Sequence, residues 1–311
     1  MTFEQLRIFL AVAEREHLTR AAEALHLTPS AVSASIRALE QSYGIALFER
    51  VGRRIELSAA GLLFLPEARG VLARAATAEA LLSDLGGLKR GRLTLQASQT
   101  VASHFLPPVM VRFHEAHPGI ALALVVGNTE TVAKAVLSGE AELGLVEGRI
   151  EAPLLAVERV AEDRLIVVVA PGHPLADGRR HALAALAKAG WILRERGSGT
   201  RSSFAEALAA DGLSIEDLDV ALELPSNEAV LAAVAAGPYA AVVSEAAASA
   251  MLASGRLARV DCALPPRAFS MLRHRERPLT AAARAFAALL AGGVNPAVPP
   301  PPRSRPGIPA A

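Results

Sequence analysis

Two groups of side chains in this 311-residue chain are spaced to do chemistry, and both suit binding better than bond-making. One is a run of hydroxyls and guanidiniums: Thr28, Ser30, Ser33 and Arg37, followed by Arg50, Arg53 and Arg54. The other is three short polar loops, Ser98-Gln99-Thr100, Gly127-Asn128-Thr129 and Gly197-Ser198-Gly199-Thr200-Arg201. Each loop stands just ahead of a helical pattern. Backbone N–H groups at a helix start carry partial positive charge, so such loops favour an anion: a carboxylate, sulfate, sulfite or phosphate. Ordinary N-capping explains each loop taken alone.

Catalytic sets are harder to find. There is no Gly-x-Ser-x-Gly elbow, and Gly197-Ser198-Gly199 lacks the lysine of a phosphate loop. His114, His117 and His173 lie at helix ends or beside proline, outside ligand spacing. Cys262 is the only cysteine, which excludes an internal disulfide framework and a multi-cysteine zinc site. No catalytic residue, metal or cofactor is expected.

The elements that position the first group read clearly. Phe3, Leu6, Leu10 and Ala13 predict one helix and Leu18, Ala21, Ala22 and Leu25 a second. Thr28-Pro29 is an N-cap followed by proline at the first helical position. Val32, Ile36 and Leu39 then form a buried stripe, which leaves Ser30, Ser33, Ala34 and Arg37 on the exposed face. A short helix of that kind suits the major groove of DNA. Gly44 reads as a helix stop and Leu47-Phe48 as a core anchor. Residues 49–58 predict a hairpin with Gly52 at its turn and Arg50, Arg53 and Arg54 at its tip. A solvated basic turn is the alternative for that tip. The first 60 residues hold seven arginines and seven acidic residues, so DNA affinity must come from placement rather than total charge. Ser58 can cap a long apolar helix, about Ala59 to Leu85, broken only by Pro66. Such a helix buries a stripe either within the chain or, as favoured here, against a second copy.

Residues 85–91 read as a hinge. Beyond it, strand patterns near 92–97, 120–126, 143–147, 164–170, 191–194, 221–224 and 240–243 alternate with helices near 105–116, 129–138, 200–210, 228–236 and 279–290. That alternation predicts α/β layers with largely parallel sheets. The apolar fraction of 52% is ample for several cores. No apolar run reaches the roughly 18 residues of a membrane span, and Met1-Thr-Phe-Glu-Gln-Leu-Arg does not read as a signal peptide. A reducing cytoplasm is therefore expected. The tail from Asn295 carries seven prolines and predicts disorder.

Ordered motifs in both halves resemble the LysR-type transcriptional regulators. In the first half these are Ala21-Ala-Glu-Ala-Leu25, Ala31-Val-Ser33, Leu39-Glu40, Leu47-Phe-Glu-Arg50 and Gly52-Arg-Arg54. In the second they are Phe113-His-Glu-Ala-His-Pro118, Gly144-Leu-Val-Glu-Gly148, Pro171-Gly-His-Pro-Leu175, Arg196-Gly-Ser-Gly-Thr-Arg201 and Ser226-Asn-Glu-Ala229. The resemblance covers about residues 1–292. It implies an all-α winged helix-turn-helix (1–58), a linker and dimerisation helix with hinge (59–90) and a periplasmic-binding-protein-like sensor (91–292). Lobe one of that sensor would be 92–163 and 267–292, and lobe two 164–266. The two lobes would be joined by hinge strands at 165–170 and 269–273, with residues 293–311 as the tail.

The implied partners are double-stranded promoter DNA and a small anionic or amino-acid-like effector. Copies would pair through the linker helix and form tetramers through the sensors, with no membrane involved. The implied cleft gathers Ser98, Gln99, Thr100, Asn128, Thr129, Glu147, Gly199, Thr200, Arg201 and Asn227. Within it Glu147 would pair with Arg201 or receive an amino group of the effector. The segments Gly127-Asn-Thr-Glu-Thr-Val132 and Leu145-Val-Glu-Gly148 look most like the sulfur-assimilation branch of the family. Two departures stand out. The recognition helix carries Pro29-Ser30 and Ala34-Ser35 where many relatives place glutamine, proline and arginine, so its surface is smaller and less basic. The loop Gly237-Pro-Tyr-Ala240 replaces a Gly-x-Gly. Rival readings are an enzymatic or a solute-binding α/β domain fused to a helix-turn-helix.

Overall fold

The computed structural model describes residues 1–51, 54–84 and 91–292. Gly52, Arg53, most of the glycine-rich joint (85–90) and the proline-rich tail (293–311) fall outside them.

The N-terminal unit packs α1 (Phe3–Arg15), α2 (Leu18–Leu25) and α3 (Pro29–Tyr43) around one small core. Leu6, Phe9 and Val12 form the buried face of α1, while Phe3 is 56% exposed, so the apolar stripe lies one step round from the expected one. Ala21 and Ala22 are buried, and their small side chains let α1 and α3 approach α2. The Thr28 hydroxyl accepts from the Ala31 N–H at 3.2 Å, and Gly44 ends α3 in the left-handed region at φ +67°. An antiparallel hairpin follows, β1 (Phe48–Val51) with β2 (Arg54–Leu57). Glu40 anchors it by accepting the N–H groups of Leu47 (2.8 Å) and Phe48 (3.2 Å). Ser58 caps the next helix at the Gly61 N–H (3.0 Å).

That helix, α4 (Ala59–Asp84), is 26 residues long and contains Pro66. Ala68 is fully buried and the Phe64 ring packs tilted against Phe9, centroids 5.0 Å apart, which ties α4 to the reader core. Leu62, Leu63 and Leu82 remain 60–77% exposed. The helix is therefore part of the reader core on one side and uncovered on another.

The rest forms two lobes in chain order. Lobe one begins with β3 (Gly91–Ser98), a π-helical turn (Val101–Phe105) and α5 (Leu106–Ala116). It continues with β4 (Ile120–Gly127), α6 (Thr129–Ser138), β5 (Leu143–Glu147) and β6 (Leu155–Asp163). Lobe two holds β7 (Leu165–Val169), α7 (Leu183–Leu186), β8 (Gly190–Arg194), α8 (Gly199–Ala210) and β9 (Asp219–Leu224). It ends with α9 (Asn227–Ala236), β10 (Tyr239–Ser244), α10 (Glu245–Ala253) and β11 (Ala258–Val260). The chain then returns to lobe one as β12 (Arg267–His274) and α11 (Ala281–Ala291).

The strand orders are β4-β3-β5-β12-β6 and β11-β7-β10-β8-β9. Each sheet is mixed: four of its five strands run in one direction, and one, β12 in the first and β7 in the second, runs against them. β3, β4 and β5 run together, as do β8, β9 and β10, while β6 and β12, and β7 and β11, pair antiparallel. Those antiparallel strands carry the chain in and out of each lobe. The crossing segments also differ from expectation. β7 lies wholly in the second sheet and β12 wholly in the first, so the chain crosses at Arg164 and again between β11 and β12. β6 is hard to read in the sequence because its charged residues, Glu158, Arg159, Glu162 and Asp163, mask the apolar alternation of an edge strand.

Candidate functional site

The reader presents the expected face. Ser30 and Arg37 are exposed on α3 and Ser33 is half-buried. The Arg37 Nε donates to the Ser33 carbonyl at 3.3 Å, one turn back, and the Thr28 and Ser30 hydroxyls share a hydrogen bond at 3.0 Å. Thr28 thus works first as the cap that starts α3. Arg50 is exposed on β1 and Arg54 opens β2 opposite Val51. Arg53 lies outside the described residues.

The second group converges where the carboxyl ends of the parallel strands of both lobes meet. Thr129 starts α6 and Gly199 starts α8, and the two helix starts face one another across the seam. Glu130 N–H donates to the Gly197 carbonyl at 3.1 Å, and the Thr129 hydroxyl donates to the Glu147 carbonyl at 2.8 Å. Gln99 crosses to α9, where its Oε1 accepts from the Asn227 N–H (2.7 Å) and its Nε2 donates to Glu228 (2.6 Å). Asn227 Nδ2 donates to Thr100 Oγ1 at 3.1 Å.

Two buried arginines organise this seam, and sequence reading found neither. Arg194, at the end of β8, is 3% exposed. It donates to Asn227 Oδ1 at 2.7 Å and grips Glu195 with Nε (2.8 Å) and Nη2 (3.0 Å). Glu195 Oε1 also accepts from Asn128 Nδ2 at 3.2 Å. Arg267, at the start of β12, donates to Asp163 (2.8 Å) and to the Thr200 hydroxyl (3.0 Å), and lies 3.9 Å from Glu147. Asp163 also accepts from Ser244 at 2.7 Å. A charge at the end of an otherwise apolar strand, Trp191-Ile-Leu-Arg194, was the available signal for the first. Arg267 follows Pro265-Pro266 and gave none.

All ten effector candidates therefore lie in or beside one seam, but two roles change. Glu147 is buried against Arg267 and the Ser98 hydroxyl, not against Arg201. Arg201 instead donates to the Arg194 carbonyl (3.0 Å) and pairs with Glu223 (2.7 Å). The hydroxyls of Ser98, Thr100, Thr129 and Thr200 are all satisfied by the chain itself, as most buried polar groups are. Three carboxylates, Glu147, Asp163 and Glu195, face two guanidiniums. Among the described residues Ser198 Oγ is buried with no hydrogen-bond partner, at the head of α8 and next to a cavity of about 520 Å³ also lined by Thr129, Lys134 and Arg201. A second cavity of about 700 Å³ is lined by Gln99, Asn128, Glu195, Lys134 and Arg69 of α4. Among the described residues no cluster of His, Cys, Asp and Glu could hold a metal ion. Nor is any helix among them long and apolar enough to cross a membrane.

Comparison with known proteins matches residues 3–62 to a bacterial regulatory helix-turn-helix family, lysR family, and residues 86–294 to a LysR substrate binding domain. The HTH-type transcriptional regulator YeiE of Escherichia coli is 35% identical over 288 residues, 92% of this chain and 96% of the relative. The regulatory domain of CcmR from Synechocystis, solved in complex with 2-PG, is 28% identical with a TM-score of 0.60, covering 65% of this chain and 97% of that one. Full-length CbnR, solved with its target DNA, shares the fold at 23% identity and a TM-score of 0.68, covering 93% of this chain and 99% of that one.

Proposed function

This chain belongs to the LysR family of bacterial regulators, and on that footing we propose that it binds promoter DNA in the cytoplasm as a tetramer tuned by a small anion. It is a DNA-binding transcriptional regulator with an effector-binding domain. We assign it no catalytic role. Ser30, Ser33 and Arg37 reach base edges or adjacent phosphates, and Arg50, Arg53 and Arg54 hold backbone phosphate. The exposed leucines of α4 pair two copies, and the sensor domains join two pairs.

The observation that carries the effector reading is the seam. Buried Arg194 lies where two helix N-termini and an asparagine cap converge, and opposite charges and caps are the usual means of holding an oxyanion. Sulfate, sulfite, phosphate, small carboxylates and 2-PG are the candidates. Effector uptake stabilises the closed lobes, alters how sensors pack, and so changes reader spacing and the bend of the DNA.

A thermal-shift panel of these anions tests the effector, because a ligand of the native state raises its stability. DNA footprints with and without the best anion then test the coupling. An unchanged footprint at saturating ligand sinks the mechanism, and a panel without a single shift sinks the anion.

A further inference from the structure

We infer that the Glu195 carboxylate is a built-in occupant of the anion seat on Arg194, and that an effector anion binds by displacing it. This rests on the anion reading above and adds a residue that sets affinity and specificity.

A guanidinium that is 3% exposed requires a counter-anion. Here the counter-anion comes from the next residue in the chain. Glu195 fills the Nε–Nη2 fork with both oxygens, at 2.8 and 3.0 Å, the geometry in which arginine binds planar carboxylates and oxyanions. Neighbours in an extended strand point to opposite sides. Glu195 can fold back because β8 ends at Arg194 and a turn follows, closed by the Ser198 N–H on the Glu195 carbonyl at 3.2 Å. Gly197 supplies the φ of +86° that this turn needs.

The same carboxylate also accepts from Asn128 Nδ2 at 3.2 Å, the N-cap of α6 in the other lobe. One carboxylate thus makes the two contacts, one from each lobe, that a bridging oxyanion would make. Arg194 is sealed, but the Glu195 side chain is 26% exposed and lines the 700 Å³ cavity. It can therefore swing to solvent without opening the core. The entering anion must present two oxygens to the fork, which selects carboxylates and tetrahedral oxyanions over halides.

The test is calorimetric titration of the full chain with inorganic phosphate and with sulfate, at constant ionic strength set by chloride. Four proteins are compared: the unaltered chain, Glu195→Gln, Glu195→Ala and Glu228→Gln. Glu228 is a neighbouring carboxylate whose bond goes to Gln99, so its variant measures the general effect of removing one charge. Both Glu195 variants should bind oxyanion about tenfold more tightly, the size of one charge-assisted hydrogen bond. Glu228→Gln should gain less than about threefold, as for a screened charge. Equal affinity in the unaltered chain and the Glu195 variants, or an equal gain in Glu228→Gln, overturns the displacement idea and leaves the anion reading standing. Absence of oxyanion binding in all four proteins overturns both.

Discussion

Gly199 of lobe two lies so close to Glu147 of lobe one that a Cβ on the glycine would stand 2.1 Å from the Glu147 carbonyl oxygen and 2.5 Å from Thr129 Oγ1. The closed seam is thus set by backbone meeting backbone, where no side chain can yield. Gly199→Ala should force the lobes apart. We expect a loss of about 1–3 kcal/mol in denaturant unfolding, the usual cost of overpacking, and a larger radius of gyration by small-angle scattering. An unchanged radius and stability would mean that the lobes do not meet this way in solution.

Among the described residues Arg267 is the guanidinium that reaches both Asp163 and Glu147, and all three are buried. Removing it leaves Glu147 and Asp163 buried with a hydroxyl donor each, Ser98 and Ser244, but without that counter-charge. Arg267→Gln should therefore cost about 3–5 kcal/mol. Arg267→Lys should cost less, since it keeps the charge but loses the fork to Asp163 and Thr200. Urea titration of the three proteins decides it, and equal stability of Arg267→Gln and the unaltered chain contradicts the reading.

On the reader, Arg50→Ala, Arg53→Ala and Arg54→Ala should weaken binding to every DNA sequence. The slope of log affinity against log salt should flatten by about 0.9 for each phosphate that the variant no longer neutralises. Ser33→Ala should change sequence preference more than salt slope. A full salt slope in an arginine variant removes that residue from the interface.

His274 gives the stability a pH dependence. Burial and the nearby Arg277 hold its imidazole below the ordinary histidine value, with Glu276 opposing and Arg74 of α4 adding to the effect. Its Nδ1 accepts from the Glu276 N–H at 3.2 Å. The unfolded chain therefore takes up this proton first, and folding loses stability as pH falls below about 6.5. Thermal unfolding between pH 5 and 8 should show a smaller acid-side decline in His274→Gln. Identical profiles would place the acid sensitivity elsewhere.

Much of the fold is legible because its signals are local. Thr28-Pro29, the Val32–Ile36–Leu39 stripe and Gly44 fix α3 through capping and periodicity, and β5 and α6 are found at their true bounds for the same reason. β6 and β11 are not legible, since a short or charged edge strand is defined by the partner it pairs with. The cleft loops could be located, because a hydroxyl or amide before a helix is a local cap. Which carboxylate meets which arginine could not.

The chain by itself determined a helix-turn-helix reader, a long helix and an alternating α/β sensor, since propensity, capping and hydrophobic period act over a few residues. Only the tertiary structure decided that Glu147 faces Arg267 rather than Arg201, that Gly199 rests on the Glu147 backbone, and that Glu195 occupies Arg194. The first pairing joins two strands of one sheet, the second joins the two lobes, and the third depends on the turn that folds Glu195 back. Burial makes charge pairing obligatory, but folding chooses the partner from the whole chain.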